Sequence, residues 1–335
     1  MNTAPRRVVV AVVALLYSWA PTCATPQSTP ASSAATETLL KLVEADCSGY
    51  RFSKTQVDTV KKLIAAGADV NAGNFITLMC AVANGRADIV KVLVDSGANV
   101  NAKVSLGESA LMVASGHDHP DIVKMLLDAG ADVNAHSYGR SVLFFGRSAD
   151  VVKLLLAAGA DKYKEERETN NYQTPLIAAA EAGYADAVKA LVNAGVDIEA
   201  RDAKNTYGYY PKDLPYQQLP HVHKTALIAA AETGRANTVK VLLDAGANKE
   251  AGDYSHWTAL MVAAANGHSD VAKLLIAAGA NVNVEELANP AIVTPLFLAS
   301  CGRHSDIVKL LLEAGANKDL VLPEVARWCD PPPPK

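Results

Sequence analysis

The sequence predicts an all-α solenoid of about eight helix-turn-helix units joined by short β-turn or hairpin connections, and three observations carry this. A Gly-Ala-Asp/Asn-like tract recurs with its glycine at Gly67, Gly97, Gly130, Gly159, Gly195, Gly246, Gly279 and Gly315. The intervals are 30, 33, 29, 36, 51, 33 and 36 residues, near one period of about 33, as in stacked structural repeats. Ahead of such a tract stand two short apolar stripes at helical spacing, neither long enough to be stable alone. Finally, the chain is 50% hydrophobic but only 6% aromatic, a mixture that suits many small, closely packed helices rather than one thick core.

Taken in order, the N-terminus reads as an export signal. Arg6 and Arg7 form a positive start, Val8 to Leu16 is an uninterrupted apolar run, and Thr22-Cys23-Ala24 offers cleavage after Ala24. The run falls well short of the roughly 20 apolar residues that span a bilayer, so no stable membrane span is expected. A lipoprotein reading would place a lipid on Cys23, but Pro21 and Thr22 fit it poorly. Loss of residues 1–24 removes two arginines and no acid, taking the formal charge from −4 to −6. Residues 25–36, rich in Thr, Ser, Pro and Ala, are expected to form a flexible tether. No Asn-x-Ser/Thr sequon occurs, which leans towards a bacterial periplasm, with secretion as the alternative destination.

The repeat domain is expected over 37–320. Its first unit, about Glu37 to Ala72, carries an irregular Asp46-Cys47-Ser48-Gly49-Tyr50 stretch and reads as an N-terminal cap. Thr258 to Asn283 is the cleanest unit. Thr258 is placed to cap a helix, Leu260, Ala263 and Ala264 share one face, and Gly267 ends the helix in a left-handed conformation. Asp270 then opens a second helix at its positive end, with Val271, Leu274 and Leu275 as the apolar stripe and Gly279 as the stop. Stacking buries each unit's open face against the next. The fourth unit is short: nine residues separate Ser141 from Asp150, where twelve separate Thr258 from Asp270. Its first helix must lose almost a turn, and a local break in the stack is expected there. An insertion of about 201–223 separates the fifth and sixth units. A C-terminal cap and Pro-rich tail over 321–335 follow, with Pro331 to Pro334 extended.

The chain is similar to the ankyrin repeat family over roughly residues 37–320. The family's Thr-Pro-Leu-His opening is resembled by Thr174-Pro175-Leu176 and Thr294-Pro295-Leu296, and by the variants Thr225-Ala226-Leu227, Thr258-Ala259-Leu260 and Ser109-Ala110-Leu111. The second helix repeats as Asp88-Ile89-Val90-Lys91, Asp121-Ile122-Val123-Lys124 and Asp306-Ile307-Val308-Lys309. The family's His position holds Met79, Met112, Phe144, Ile177, Ile228, Met261 and Phe297 instead, so apolar packing is expected to replace its hydrogen bonds. The resemblance implies a non-catalytic scaffold that binds a protein partner, through the repeat turns, the concave face and the 201–223 insertion, and the export signal is expected to place it outside the cytoplasm. It leaves open a secreted effector or immunity-type protein engaging a foreign target. Some exported bacterial members also imply an accessory factor for a periplasmic stress-defence enzyme.

Candidate contact residues follow from where the aromatics lie. Tyr138, Tyr163, Tyr172 and Tyr254 fall in inter-repeat turns, and Tyr207, Tyr209, Tyr210 and Tyr216 in the insertion; Trp257 directly precedes the capping Thr258. Exposed Tyr and Trp offer large, rigid contact area with a polar edge. The bland reading folds the insertion back onto adjacent helices, with Tyr210-Pro211 and Leu214-Pro215 as turns. Glu181 and Glu232 share one first-helix position in flanking units and would add acidity to the groove, or else are ordinary solvated residues.

Other chemistry finds little support. No phosphate-cradling loop, zinc-protease helix motif or nucleophile elbow is present, so neither enzymatic activity nor a cofactor is expected. His221-Val222-His223 has only Asp213 and nearby tyrosines as further ligands, which does not make a metal site. His117, His119, His268 and His304 recur near the end of first helices and read as a structural feature of the repeat. The charge balance gives no reason to expect nucleic acid as a partner, and a monomer is expected. Four cysteines remain after processing, Cys47, Cys80, Cys301 and Cys329, which permit two bridges in any of three connectivities; the pairs nearest in the stack would be Cys47–Cys80 and Cys301–Cys329, fastening each end.

Overall fold

A computed structural model of the chain describes residues 30–47, 54–73, 76–104, 107–162, 171–204, 223–288 and 291–320. The chain divides into two compact units after Asp161. The first contains α1 (Pro30–Cys47), α2 (Lys54–Ala65), α3 (Ile76–Ala83), α4 (Ala87–Asp95), α5 (Ala110–Gly116), α6 (Pro120–Asp128), a 3-10 turn (Val142–Phe145) and α7 (Ala149–Ala157). Alternate elements form two layers: α1, α3, α5 and the 3-10 turn pack in succession, and α2, α4, α6 and α7 do the same behind them. The second unit repeats the plan with α8 (Pro175–Ala182), α9 (Ala185–Asn193), α10 (Ala226–Glu232), α11 (Ala236–Asp244), α12 (Ala259–Asn266), α13 (Ser269–Ala277), α14 (Pro295–Cys301) and α15 (Ser305–Glu313). Among the described residues, three two-stranded antiparallel ribbons lie between repeats: β1 (His136–Ser137) with β2 (Arg140–Ser141), β3 (Asn171–Tyr172) with β4 (Ala203–Lys204), and β5 (Glu286–Ala288) with β6 (Ala291–Val293).

Local chemistry sets the helix starts. The hydroxyls of Ser109, Thr174, Thr225, Thr258 and Thr294 each accept a bond from the backbone N–H three residues on, at 3.1 to 3.4 Å. A cap of this kind contributes about 1 kcal/mol. Ser141 makes no such bond, and the element it opens is a four-residue 3-10 turn. The shortened unit therefore lost its first helix altogether, because nine residues cannot hold a capped helix, a turn and the entry to α7. The column that replaces the family's histidine is buried at Met112, Ile177, Ile228, Met261 and Phe297, while Met79 and Phe144 are only partly covered.

One expected boundary moves. The segment 25–36 was expected to be a tether, yet α1 begins at Pro30. Proline sits without penalty in a helix's first turn, Ala35 and Leu39 are buried, and Thr36 Oγ1 accepts the N–H of Asp69 at 2.9 Å. Residues 25–29, the leader and the tail 321–335 lie outside the described residues.

Two sets of hydrogen bonds stitch neighbours together. Asn71 Nδ2 donates to Gly97 O and its Oδ1 accepts from Asn99 N. Asn101 does the same to Gly130 and Asp132, Asn134 to Gly159 and Asp161, and Asn283 to Gly315 and Asn317. Glu199 and Glu250 replace the asparagine further along, accepting from Asn248 N and Asn281 N. The second set involves the histidine column. His268 Nε2 lies 3.0 Å from Glu232 O and His304 Nε2 lies 3.1 Å from Ala265 O. Each imidazole occupies the space a Cβ would need at Gly234 or Gly267, 2.7 and 2.6 Å away. These two histidines thus pin one unit's second helix to the preceding unit, as expected of a structural column.

Candidate functional site

The connections between repeats project as fingers, and two of them end in exposed tyrosines. β1 and β2 pair His136 with Ser141 and Ser137 with Arg140. The turn between them has positive φ at Tyr138 (49°) and Gly139 (70°), the geometry that fits the right-handed twist of a two-residue hairpin. Tyr138 is left 64% exposed at the tip, while the Arg140 guanidinium lies 4.7 Å over the Phe144 ring.

Tyr254 caps the corresponding finger of the seventh unit and is 63% exposed. This finger is closed by Asp253, whose Oδ1 accepts the N–H groups of Ser255 and Trp257 at 2.8 and 2.9 Å, and whose own N–H donates to Trp257 O. The ring of Tyr254 lies 5.9 Å from that of His223 in the neighbouring finger. Tyr172 has its backbone in β3, paired with Ala203, and its side chain lies outside the described residues. So do Tyr163, Tyr207, Tyr209, Tyr210 and Tyr216, and the insertion is described only at its two ends, 201–204 and His223.

Trp257 corrects the sequence reading. Expected as an exposed anchor, it is 3% exposed. It occupies the position just before the capping threonine, and the same position holds Lys224 and Val293, both buried. The chain is extended there and turns this side chain inward. The apolar Val293 in a sister repeat was the signal that could have shown it.

The glutamates change role for the same reason. Lys224, with its side chain only 4% exposed, places Nζ 2.7 Å from Glu232 Oε2 and 3.7 Å from Glu181 Oε2. Gln173 Nε2 also donates to Glu181 Oε2, and buried Asp202 Oδ1 accepts the Lys224 backbone N–H at 2.6 Å. Burial pulls the Lys224 ammonium down, but its bond to Glu232 and the charges of Glu232, Glu181 and Asp202 outweigh this and hold its pKa above the usual lysine value. The expected acidic groove is therefore an ion-paired cluster in which the two carboxylates face a lysine between α8 and α10.

Cys80 and Cys301 are each disulfide-bonded. α1 ends on Cys47 and packs on α3, which carries Cys80; the Cys47 side chain and all of Cys329 lie outside the described residues. Among the described residues no group of three or more His, Cys, Asp and Glu is placed to hold a metal ion, and no helix is long and apolar enough to cross a membrane.

Comparison with known proteins agrees with this geometry. A family model described as ankyrin repeats (three copies) matches residues 51–137, 139–202 and 203–286, and a single ankyrin repeat model matches 293–321. The crystal structure of the human ASB11 ankyrin repeat domain is similar at 28% identity and TM-score 0.58, over 72% of this chain and 98% of that one. The ankyrin repeat domain of Bcl-3, titled a unique member of the IkappaB protein family, is similar at 26% identity and TM-score 0.51, over 70% and 97%. No curated protein sequence matches. With repeat models matching most of its length and the repeat geometry in place, the chain belongs to the ankyrin repeat family.

Proposed function

We propose that this chain is a non-catalytic binding scaffold that acts outside the cytoplasm and grips a protein partner with its finger tips. Ankyrin repeats are in general protein–protein interaction modules. The observation that carries the reading here is the placement of Tyr138 and Tyr254: of the three large apolar side chains left exposed among the described residues, two are these finger tyrosines. Aromatic residues held at the ends of rigid turns are suited to act as interface anchors, since little entropy is lost when they dock. The test is affinity capture with the full chain from the cell that makes it, beside a Tyr138→Ser/Tyr254→Ser variant of unchanged circular dichroism. One partner held by the wild type and lost by the variant is expected; capture that the variant leaves intact would overturn the assignment of these tips.

The extracytoplasmic part rests on the export-like leader and on the disulfides at Cys80 and Cys301, which persist in oxidising compartments and not in a reducing cytosol. Peptide mapping without reductant is expected to recover Cys47–Cys80 and Cys301–Cys329. Four freely alkylated thiols in protein taken directly from the cell would reject this location.

A further inference from the structure

We propose that the fingers of the sixth and seventh repeats form a preorganised cradle for an acidic segment of the protein partner, built from Arg201, His223, Tyr254 and His256. It rests on the binding reading above and specifies the chemistry of one site within it.

The first observation is backbone strain in register. His223 and His256 stand two residues before the capping Thr225 and Thr258, where Gly107 and Gly139 precede Ser109 and Ser141. All four positions have positive φ: 58° and 60° for the histidines, 76° and 70° for the glycines. Glycine adopts this conformation freely, whereas an L side chain brings its Cβ against the following carbonyl. Core packing does not call for imidazoles here, since His256 is exposed and His223 only half-buried. Strain retained where glycine would relieve it is typical of functional sites.

The second observation is how the two fingers are joined. Arg201 Nη1 donates to His223 O at 2.9 Å and to Gly252 O. One guanidinium edge thus locks both fingers, and Nε and Nη2 have no partner among the described residues. Gly252 allows the tight return of its finger, because a Cβ there would meet the His256 backbone at 2.7 Å. The acid of the cradle, Asp253, has Oδ1 engaged by Ser255 N and Trp257 N. On a chain of net charge −4, the cradle presents a guanidinium fork flanked by two imidazoles and an exposed phenol ring.

That donor set selects its ligand. A planar guanidinium matches a carboxylate with two parallel N–H bonds, the imidazoles supply further donors, and the Tyr254 ring offers a surface for the aliphatic stem of Asp or Glu. A glutamate-bearing extended segment laid across the two tips meets each group.

The probe is a blocked, fluorescein-labelled peptide of alternating Glu and Gly, with a Gln-Gly counterpart and a DNA oligomer of equal charge. Fluorescence anisotropy is read at low salt with the full chain, Arg201→Gln and His223→Gly/His256→Gly. We expect the Glu peptide to bind the wild type at least tenfold tighter than the Gln peptide, and Arg201→Gln to abolish that preference. The double glycine variant should bind severalfold more weakly while melting at the same or a higher temperature, because glycine releases the strain. Equal binding of the two peptides, an unaffected Arg201→Gln, tighter binding of DNA, or a lower melting temperature for the glycine variant would each overturn the proposal. If a cellular partner is captured equally by wild type and Arg201→Gln, the cradle fails while the scaffold reading stands. If the wild type captures none, the scaffold reading itself fails.

Discussion

The Lys224 cluster makes a quantitative and asymmetric prediction. Lys224 is 4% exposed, but its partners Glu232 and Glu181 are 29% and 42% exposed. Changing both to Gln strips the formal charge from two neighbours of an ammonium whose side chain is almost wholly buried. Removing the partner of a buried charge costs about 3–5 kcal/mol; the remaining Asp202 and the new amide oxygens place the expected loss near the lower end, about 3 kcal/mol. The reverse change, Lys224→Met, keeps the aliphatic volume and leaves Glu181 and Glu232, at 42% and 29% exposed, able to hydrate where they stand, while the backbone N–H of residue 224 still serves the buried Asp202. Its cost should be the smaller of the two, about 1 kcal/mol, because the partly exposed glutamates it leaves behind regain hydration. Urea unfolding followed by tryptophan fluorescence in a Trp19→Phe/Trp328→Phe background reads this locally, since the remaining Trp257 is buried in the adjacent finger. A repeat array need not unfold in one step, so the transition seen by Trp257 is the quantity to compare. The folded pKa of Lys224 lies above its unfolded value. The stabilisation is therefore fully present below the unfolded pKa and is lost as pH rises through the folded one. The gap between wild type and Lys224→Met should close above the ordinary lysine range. A double Gln variant as stable as the wild type at pH 7, or a larger loss for Lys224→Met than for the Gln pair, would refute this reasoning.

Two further predictions concern single positions. Asn101→Ala removes two bonds between neighbouring repeats, to Gly130 O at 2.9 Å and from Asp132 N at 2.7 Å. At about 0.5–1.5 kcal/mol each, discounted for exposure, this should cost about 1 kcal/mol, and hydrogen exchange at the Asp132 amide should accelerate. Glu108 is half-buried before its capping Ser109, and burial raises its pKa. The protonated form is then favoured by folding, so stability falls as pH rises through the unfolded and then the folded pKa. Glu108→Gln should raise the melting temperature at pH 7, and the gain should vanish below the normal carboxylate range.

Much of the fold was legible because its determinants are local. A capping Thr258, a left-handed Gly267 and an apolar stripe at 3.6-residue spacing act within one helix, and each does what its residue type dictates. The shortening of the fourth unit was legible too, as a residue count that takes almost a turn from its first helix, but the structure goes further and leaves only a 3-10 turn there. The candidate site was less so, since its residues are defined across repeats. Trp257 looks like an exposed anchor until its column is read beside Val293, and Glu181 and Glu232 look solvated until Lys224 is placed between them. The 51-residue interval from Gly195 to Gly246 obscured the register that puts His223 and His256 in a glycine position. The early start of α1 was missed because an Ala- and Ser-rich stretch reads as a tether until Thr36 finds Asp69, 33 residues away.

The asparagine rungs have a consequence for how the chain reaches this state. Each joins residues 25 to 34 apart, and the longest such reach, 49 residues from Glu199 to Asn248, only spans the insertion. Among the described residues no rung waits for the far end of the chain. A polypeptide delivered end first, from a ribosome or through a narrow pore, can therefore close each rung once the next thirty or so residues have emerged. Low contact order of this kind shortens the time apolar surface spends uncovered, and lets the array grow in the direction of its own delivery.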